Sequence, residues 1–126
     1  MHPPREPAIK VILLPKDTNS LGTIFGGVIL SHVDLAATVA ARKVAPLRFV
    51  TRAMRTVEFR QPVYVGDIVS FFAEAVTVGR TSVTVRVSVE AERFCQGGEQ
   101  RLSVTEAEVV LVAVDDQGIK RAIRPD

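Results

Sequence analysis

Two adjacent glycines, Gly26 and Gly27, stand directly before a run of apolar residues with the periodicity of a helix. Glycine lets a ligand approach bare backbone closely, and the N–H groups of a first helical turn lack intrahelical acceptors. With the helix dipole, such groups favour an anion or a polarised carbonyl oxygen, as an oxyanion hole does. A tight turn that needs glycine for packing is the other interpretation, and the sequence leaves both open.

An acidic residue, Asp34, lies about two turns into the same apolar segment. Burying an unpaired carboxylate is costly, so its presence there requires a specific role. A general base or nucleophile for a reactive carbonyl is one such role. A structural hydrogen bond or a subunit contact is the alternative. His32, two positions earlier, faces away from Asp34 and is interpreted as a polar position on the helix or at an interface.

The segment before the glycines, residues 16–27, is rich in turn formers and predicts a structured loop. Asp17 and Asn19 within it are typical of residues whose side chains cap local backbone. No grouping of His, Cys, Asp or Glu has the spacing of metal ligands, and neither a GxGxxG motif nor a P-loop is present. We therefore predict no metal site.

One helix and about five strands are needed to position these residues. Apolar residues cover most of the helix surface over residues 28–44, so this helix must be wrapped by other elements. Strands are predicted over residues 8–14, 49–59, 68–78, 81–93 and 102–114, of which 81–93 alternates most cleanly. The order predicts an α+β fold in which an antiparallel sheet wraps one central helix, in a single domain over residues 1–126. Because one such sheet leaves an edge strand open and the helix partly uncovered, we expect a homo-oligomer.

The composition narrows the class of protein. A net charge of +2 without a basic block argues against nucleic-acid binding. The start of the chain lacks an apolar signal core, and the longest apolar stretch is too short and too polar to span a bilayer. The single cysteine, Cys95, excludes an internal disulfide. These features predict a cytoplasmic protein that is not bound to membranes.

Several dispersed motifs occur together in the chain, in the order PKDTNSLGTIFGGVILSHVD, VTRAMRTVEFRQPVYVGDIV, VGRTSVTVRVSVEAE and TEAEVVLVAVDDQG. They resemble the YciA/cytosolic acyl-CoA hydrolase family of hotdog thioesterases from about residue 11 to residue 125. The most specific part is the D-x-N-x-x-G-x-x-F-G-G loop with an aspartate seven residues after its last glycine.

The resemblance implies a hotdog domain that hydrolyses acyl-CoA to free acid and CoA without a metal or redox cofactor. It implies homodimers with active sites at the dimer interface, assembled further into trimers of dimers. The family's catalytic acid falls on Asp34, and its partner amide falls on Asn19 of the other subunit. The N–H groups near Gly26 and Gly27 take the thioester carbonyl. The turn formed by Arg80, Thr81 and Ser82 occupies positions that the family uses near the CoA nucleotide and pantetheine.

Three questions stay open at this level. An acyl-tail pocket is expected near Met54 and Phe59, but no linear pattern sets its depth or the acyl-chain preference. Asp34 acts either as a general base or as a nucleophile that forms a mixed anhydride. The rival functions are a hotdog hydroxyacyl-thioester dehydratase and a non-catalytic acyl-CoA-binding module. Dehydratase chemistry typically needs a histidine near a carboxylate, and Phe25 stands where many relatives carry a histidine.

Overall fold

A computed structural model describes residues 5–124 of the chain, and the outermost residues of the predicted domain, 1–4 and 125–126, lie outside the described residues. A short 3-10 helix, Pro15–Asp17, follows the first strand. The named elements are β1 (Ile9–Ile12), α1 (Gly26–Val44), β2 (Arg48–Phe59), β3 (Ile68–Val78), β4 (Ser82–Cys95) and β5 (Gly98–Val114).

The five strands form one antiparallel sheet in the order β1-β3-β4-β5-β2, and α1 packs against one of its faces. This arrangement confirms the predicted α+β architecture. The strands β3, β4 and β5 follow one another through short turns, so each pairs with its neighbour along the chain. The two ends of the sheet are the short strand β1 and the long strand β2.

The core lies between α1 and the middle of the sheet. The predicted alternation on β4 is confirmed, because the apolar residues predicted to share one face are all buried, namely Val83, Val85, Val87, Val89 and Ala91. Fully burying one valine side chain contributes about 1.5–3 kcal/mol. The buried residues of α1 that pack against the sheet are mostly small, so the helix lies close to the sheet. They are Ile29, Val33, Ala36, Ala37, Ala40 and Ala41.

Several element boundaries differ from the sequence-based expectation. The helix begins at Gly26 rather than at residue 28, because Phe25 serves as the N-cap and its carbonyl accepts the N–H groups of Val28 and Ile29. Glycine is a poor helix former, so its presence hid this first turn from a propensity argument. Strand β5 begins at Gly98 rather than at residue 102, because the hairpin is tight enough for Cys95 to pair with Gly98. Strand β1 is shorter than predicted and ends before the 3-10 turn.

Part of the helix is left uncovered by its own sheet. Leu35 is 57% exposed and Val39 is 38% exposed, both on the side of α1 that turns away from the core. Among the strands of residues 5–124, β2 lies at the sheet edge and pairs with β5 alone, and most of its residues are exposed. Open edges and apolar stripes of this kind are the features that pairing with another chain covers. No helix within residues 5–124 is long and apolar enough to cross a membrane.

Candidate active site

The carboxylate of Asp34 lies on the side of α1 that faces β2. Its Oδ1 accepts a hydrogen bond from the hydroxyl of Thr51, and its backbone carbonyl accepts one from the hydroxyl of Thr38 at 3.0 Å. Thr51 pairs in register with Leu111, whose buried side chain packs under the helix. Within the single chain, Asp34 is half-buried rather than buried. The group is held by one donor and remains open to a ligand.

His32 is directed to the opposite side of the helix, as predicted. Its Nδ1 lies 2.8 Å from the carbonyl oxygen of Val28, and its ring stacks on Phe71 of β3 with the ring centroids 5.4 Å apart. Asp34 instead faces β2. An imidazole placed in this way cannot act together with the Asp34 carboxylate of the same chain.

The first two residues of α1 are the two glycines. Neither has a positive φ, so backbone conformation does not require glycine at either position. A Cβ atom on Gly26 would lie 3.5 Å from the ring of Phe59, and one on Gly27 would lie 3.9 Å from the ring of Phe25. Both are ordinary van der Waals contacts, so packing within the chain has room for alanine. The interpretation of a turn that needs glycine for packing therefore loses its support, and close approach of a ligand keeps it.

The N–H groups of Gly26 and Gly27 point out of the helix start. Among residues 5–124, neither group has a hydrogen-bond acceptor, and the first N–H groups of the helix that do are those of Val28 and Ile29. Unsatisfied N–H groups at a helix start carry partial positive charge. This pair is positioned to donate hydrogen bonds to the oxygen of a polarised carbonyl.

A groove of about 310 Å³ opens beside the helix start. It is mainly apolar, and its lining residues are Ile24, Gly26, Ile29, Phe59, Arg60, Gln61, Pro62, Val63 and Val104. The structure thus brings Phe59, predicted near the acyl tail, next to Gly26. Met54 lies elsewhere on β2, half-buried against the core and in register with Val109, and does not line this groove.

Asn19 organises the loop before the helix. Its Oδ1 accepts the backbone N–H groups of Leu21 at 2.8 Å and Thr23 at 3.2 Å, and its Nδ2 donates to the hydroxyl of Thr23 at 2.8 Å. This confirms the prediction of a capping side chain. The amide nitrogen carries a second hydrogen, which these contacts do not use. A role for that group in the site of another subunit stays a prediction.

Asp17 is the second capping residue of the loop. Its carboxylate accepts the backbone N–H of Leu14 at 3.1 Å and lies 3.1 Å from the ammonium of Lys16. These contacts, that with Leu14 first, lower the pKa of Asp17 below its ordinary value. The backbone carbonyl of Asp17 also accepts the N–H of Phe25 at 2.8 Å, which ties the loop to the N-cap of α1.

The turn of Arg80, Thr81 and Ser82 lies at the same end of the sheet as Asp34. Ser82 pairs with Val112, which in turn pairs with Val50, the residue before Thr51. Two strand spacings separate the turn from β2, about 10 Å. Three backbone hydrogen bonds of 2.8 Å hold the turn, namely Gly79 N–H to Ser82 O, Ala113 N–H to Thr81 O and Ile123 N–H to Arg80 O. CoA binding by this turn stays a prediction.

Sequence reasoning missed Thr51, which contacts the candidate catalytic carboxylate directly. The residue sits in a strand whose residues are mostly exposed, so its own exposure does not single it out. Thr51 pairs with Leu111 in the regular register that runs from Arg48, two residues after the buried Phe49 and just before a register shift between Thr51 and Ala53. Its contact with Asp34 depends on how the helix packs on this edge of the sheet, which no local pattern of β2 shows.

Comparisons with known proteins agree with this geometry. The family profile of the thioesterase superfamily matches residues 21–93, a span that contains the helix glycines, Asp34 and Thr51. The chain is 36% identical to the acyl-CoA thioester hydrolase YciA of Escherichia coli K12 over 116 residues, which cover 91% of this chain and 88% of that protein.

Two solved structures share the fold. One is a hexameric hotdog-fold thioesterase of Campylobacter jejuni, with a TM-score of 0.91, 45% identity, and coverage of 94% of this chain and 90% of that chain. The other is a hexameric thioesterase of Yersinia pestis, with a TM-score of 0.88, 34% identity, and coverage of 99% and 100%. The helix and five-strand sheet are those of a hotdog domain, and the chain belongs to the thioesterase superfamily, among the relatives of the YciA acyl-CoA thioester hydrolases.

Proposed function

We propose that this protein hydrolyses acyl-coenzyme A thioesters to free carboxylic acid and coenzyme A. The helix start carries the proposal, because the acceptor-free N–H groups of Gly26 and Gly27 adjoin an apolar groove. The same helix presents the accessible carboxylate of Asp34. The match to the Escherichia coli acyl-CoA thioester hydrolase supports this chemistry.

The site requires two subunits. Asp34 follows Gly27 by seven residues, which is about 10 Å along the helix axis. A reacting carbonyl must lie within about 3 Å of both the oxyanion donors and the attacking group. One chain therefore cannot apply both to the same thioester. We place Asp34 of one subunit opposite the helix start and Asn19 of the other, in a homodimer that covers the open side of α1 and the edge strand β2.

A hexamer built from three such dimers is the proposed assembly. The relatives from Campylobacter jejuni and Yersinia pestis are both hexameric thioesterases, and the chain matches nearly their whole lengths. The exposed apolar side chains of α1 and the open edge of β2 account for the dimer contact. Light scattering of the purified protein checks the mass of the assembly.

Two routes use the same groups. In the first, Asp34 takes a proton from water, the hydroxide oxygen bonds to the thioester carbon, and the glycine N–H groups hold the resulting oxyanion. Collapse of that intermediate breaks the C–S bond, and the departing CoA thiolate takes the proton that Asp34 had accepted. In the second, the Asp34 carboxylate attacks the carbon, the thiolate leaves, and water then cleaves the mixed anhydride. Neither route needs a metal or redox cofactor, and we propose none.

A single turnover in oxygen-18 water tests for the anhydride route. Label that enters the Asp34 carboxylate indicates the anhydride, because water then cleaves a bond to that carboxylate. Label found only in the released acid excludes attack of water on the aspartyl carbonyl of an anhydride, because both direct attack on the thioester and attack on the acyl carbonyl of the anhydride place the label in the acid.

The remaining parts of the substrate have candidate sites. The turn at Arg80, Thr81 and Ser82 contributes a guanidinium, hydroxyls and backbone groups suited to the phosphates and pantetheine of CoA. The groove beside Gly26 and Phe59 suits the acyl tail, because its lining is mainly apolar. Met54 packs farther along β2 and stays a candidate for the far part of the acyl site. A CoA-thioester substrate and a single, exposed, unpaired Cys95 fit a cytoplasmic location.

A thiol-release assay across a series of acyl-CoA substrates, from acetyl-CoA to palmitoyl-CoA, tests the proposal. We expect one equivalent of free CoA for each equivalent of carboxylic acid. Binding of acyl-CoA without thiol release over the whole series would support a non-catalytic binding module instead. Interconversion of hydroxyacyl-CoA and enoyl-CoA without thiol release would support a dehydratase.

A further inference from the structure

An ion pair between Asp67 and Arg93 lies behind the groove and has no part in the chemistry described above. Asp67 is only 2% exposed. The guanidinium of Arg93 approaches it with two nitrogens, Nη2 at 2.8 Å from Oδ2 and Nε at 3.0 Å from Oδ1, and lies 4.4 Å from the ring centroid of Tyr64. The carboxylate raises the pKa of Arg93 above its ordinary value, so the guanidinium stays charged.

The pair fastens both parts of the loop between β2 and β3. Nη2 of Arg93 donates a second hydrogen bond to the backbone carbonyl of Pro62 at 3.0 Å. Oδ2 of Asp67 accepts the backbone N–H of Tyr64 at 2.9 Å, and the N–H of Asp67 returns a bond to the carbonyl of Tyr64 at 3.1 Å. One charged pair on β4 and the loop therefore sets the path of residues 62–67.

The same loop holds the segment that leads into α1. The carbonyl of Val63 accepts the N–H of Ile24 at 2.8 Å, and Thr23 pairs with Tyr64 in an antiparallel bridge. Ile24 is two residues before Gly26, and Ile24, Pro62 and Val63 line the groove together with Gly26. Hydrogen bonds thus connect Arg93 to the loop and the loop to Ile24, and a two-residue step along the chain connects Ile24 to Gly26.

We propose that Asp67 and Arg93 are positioning residues, which hold the loop of residues 62–67 and through it the oxyanion-binding N–H groups of Gly26 and Gly27. This inference rests on the proposed function. Preorganised donors act only at the correct distance, and a displacement of about 1 Å can cost on the order of 100-fold in rate. A pair that served stability alone would lower the melting temperature without changing turnover per folded enzyme.

The first test compares the wild type with Arg93→Lys, which keeps the charge but loses the two-nitrogen contact and the bond to Pro62. The double variant Asp67→Asn/Arg93→Gln, which buries no unpaired charge, serves if Arg93→Lys does not fold. The control is Arg101→Gln, which removes a 3.1 Å contact to Glu92 on the opposite face of the sheet. kcat and KM for one acyl-CoA are measured per folded enzyme, well below the melting temperature.

We expect kcat to fall by about 10-fold or more in the Arg93 variants, with KM within about twofold of wild type and the control unchanged. Asp67→Asn alone should lower kcat by a similar factor. The kcat of the double variant should be no lower than that of either single variant, because both residues act through one loop. Unchanged kcat per folded enzyme in a correctly folded variant, or a change confined to KM, would overturn the inference.

A second readout separates this inference from the proposed function. Hydrogen–deuterium exchange of peptides covering residues 21–30 should speed up in the Arg93 variants and stay unchanged in Arg101→Gln. If the wild type hydrolyses no acyl-CoA but exchange at the helix start still rises in the variants, the proposed function fails and the positioning role survives. If the wild type is active and neither kcat nor exchange responds, the positioning role fails.

Discussion

The hydroxyl of Thr51 on β2 donates a hydrogen bond to the carboxylate of Asp34 on α1, across the boundary between the edge strand and the helix. The bond occupies Oδ1 and leaves Oδ2 of the carboxylate for a ligand or water. Because β2 is held in register by β5, the donor is fixed with respect to the helix. Thr51 therefore orients the group that we place at the centre of the reaction.

Replacement of Thr51 by valine removes the donor at nearly constant shape. Hydrogen bonds to charged groups contribute about 1.5–3 kcal/mol, so losing the orienting part of this bond should lower kcat by about 10-fold. KM should stay near wild type, and the melting temperature should fall by about 10 °C at most. Steady-state kinetics check this, with Thr84→Val on β4 as the control. Normal kcat in Thr51→Val would show that the carboxylate needs no help from β2.

Gly26→Ala should separate stability from activity. Gly26 has no positive φ, and its added Cβ would meet only the ring of Phe59 at 3.5 Å. Alanine is the better helix former, so the free energy of unfolding should stay level or rise by up to about 1 kcal/mol. The same methyl group would block the approach of the thioester, and kcat/KM should fall by about 100-fold. Equal loss of stability and activity would point to a packing role instead.

Asn19→Asp tests the two roles of that side chain. Aspartate keeps the oxygen that accepts the N–H groups of Leu21 and Thr23 but has no amide donor. If the second amide hydrogen serves the site, Asn19→Asp should lose at least about 10-fold in kcat with a melting temperature close to wild type. Asn19→Ala should lose both activity and stability. An active Asn19→Asp together with an inactive Asn19→Ala would assign Asn19 to the loop alone.

The loop should also respond to acid through Asp17. Contact with the N–H of Leu14, and then with Lys16, lowers the pKa of Asp17 below its ordinary 3.8. A lowered pKa means that the ionised group stabilises the folded state at neutral pH, and that this contribution disappears as the pH falls through the folded-state pKa.

The difference in unfolding free energy between wild type and Asp17→Asn should therefore be constant from neutral pH to about pH 5 and shrink towards zero below about pH 3. Urea unfolding across this range measures it, with the fully exposed Asp116→Asn as control. A difference that persists at the lowest pH would contradict a charge-based role for Asp17.

The sequence was sufficient for the elements and for half of the site. The alternation over β4 and the apolar run of α1 predict which of their residues are buried, because the strand period of two residues and the helix period of 3.6 residues are visible in the local sequence. Gly26, Gly27 and Asp34 could be found because their types conflict with the surrounding pattern.

Thr51 and the Asp67–Arg93 pair could not be found in this way. Their contacts join residues 17 and 26 positions apart, and they depend on how the strands, the helix and the loop before β3 are assembled. A one-residue change of register would turn Thr51 and Arg93 to the other face of the sheet. Such contacts are properties of the assembled sheet rather than of any local segment.

The rate of CoA release by Asp34→Asn tests the central claim most directly. The substitution keeps the size of the side chain and removes its charge, its basicity and its nucleophilicity. Proton transfer by a positioned group contributes about 100- to 10,000-fold, so kcat should fall by at least about 100-fold in a protein with the melting temperature and assembly of the wild type. Turnover near that of the wild type in a folded Asp34→Asn protein would contradict the account.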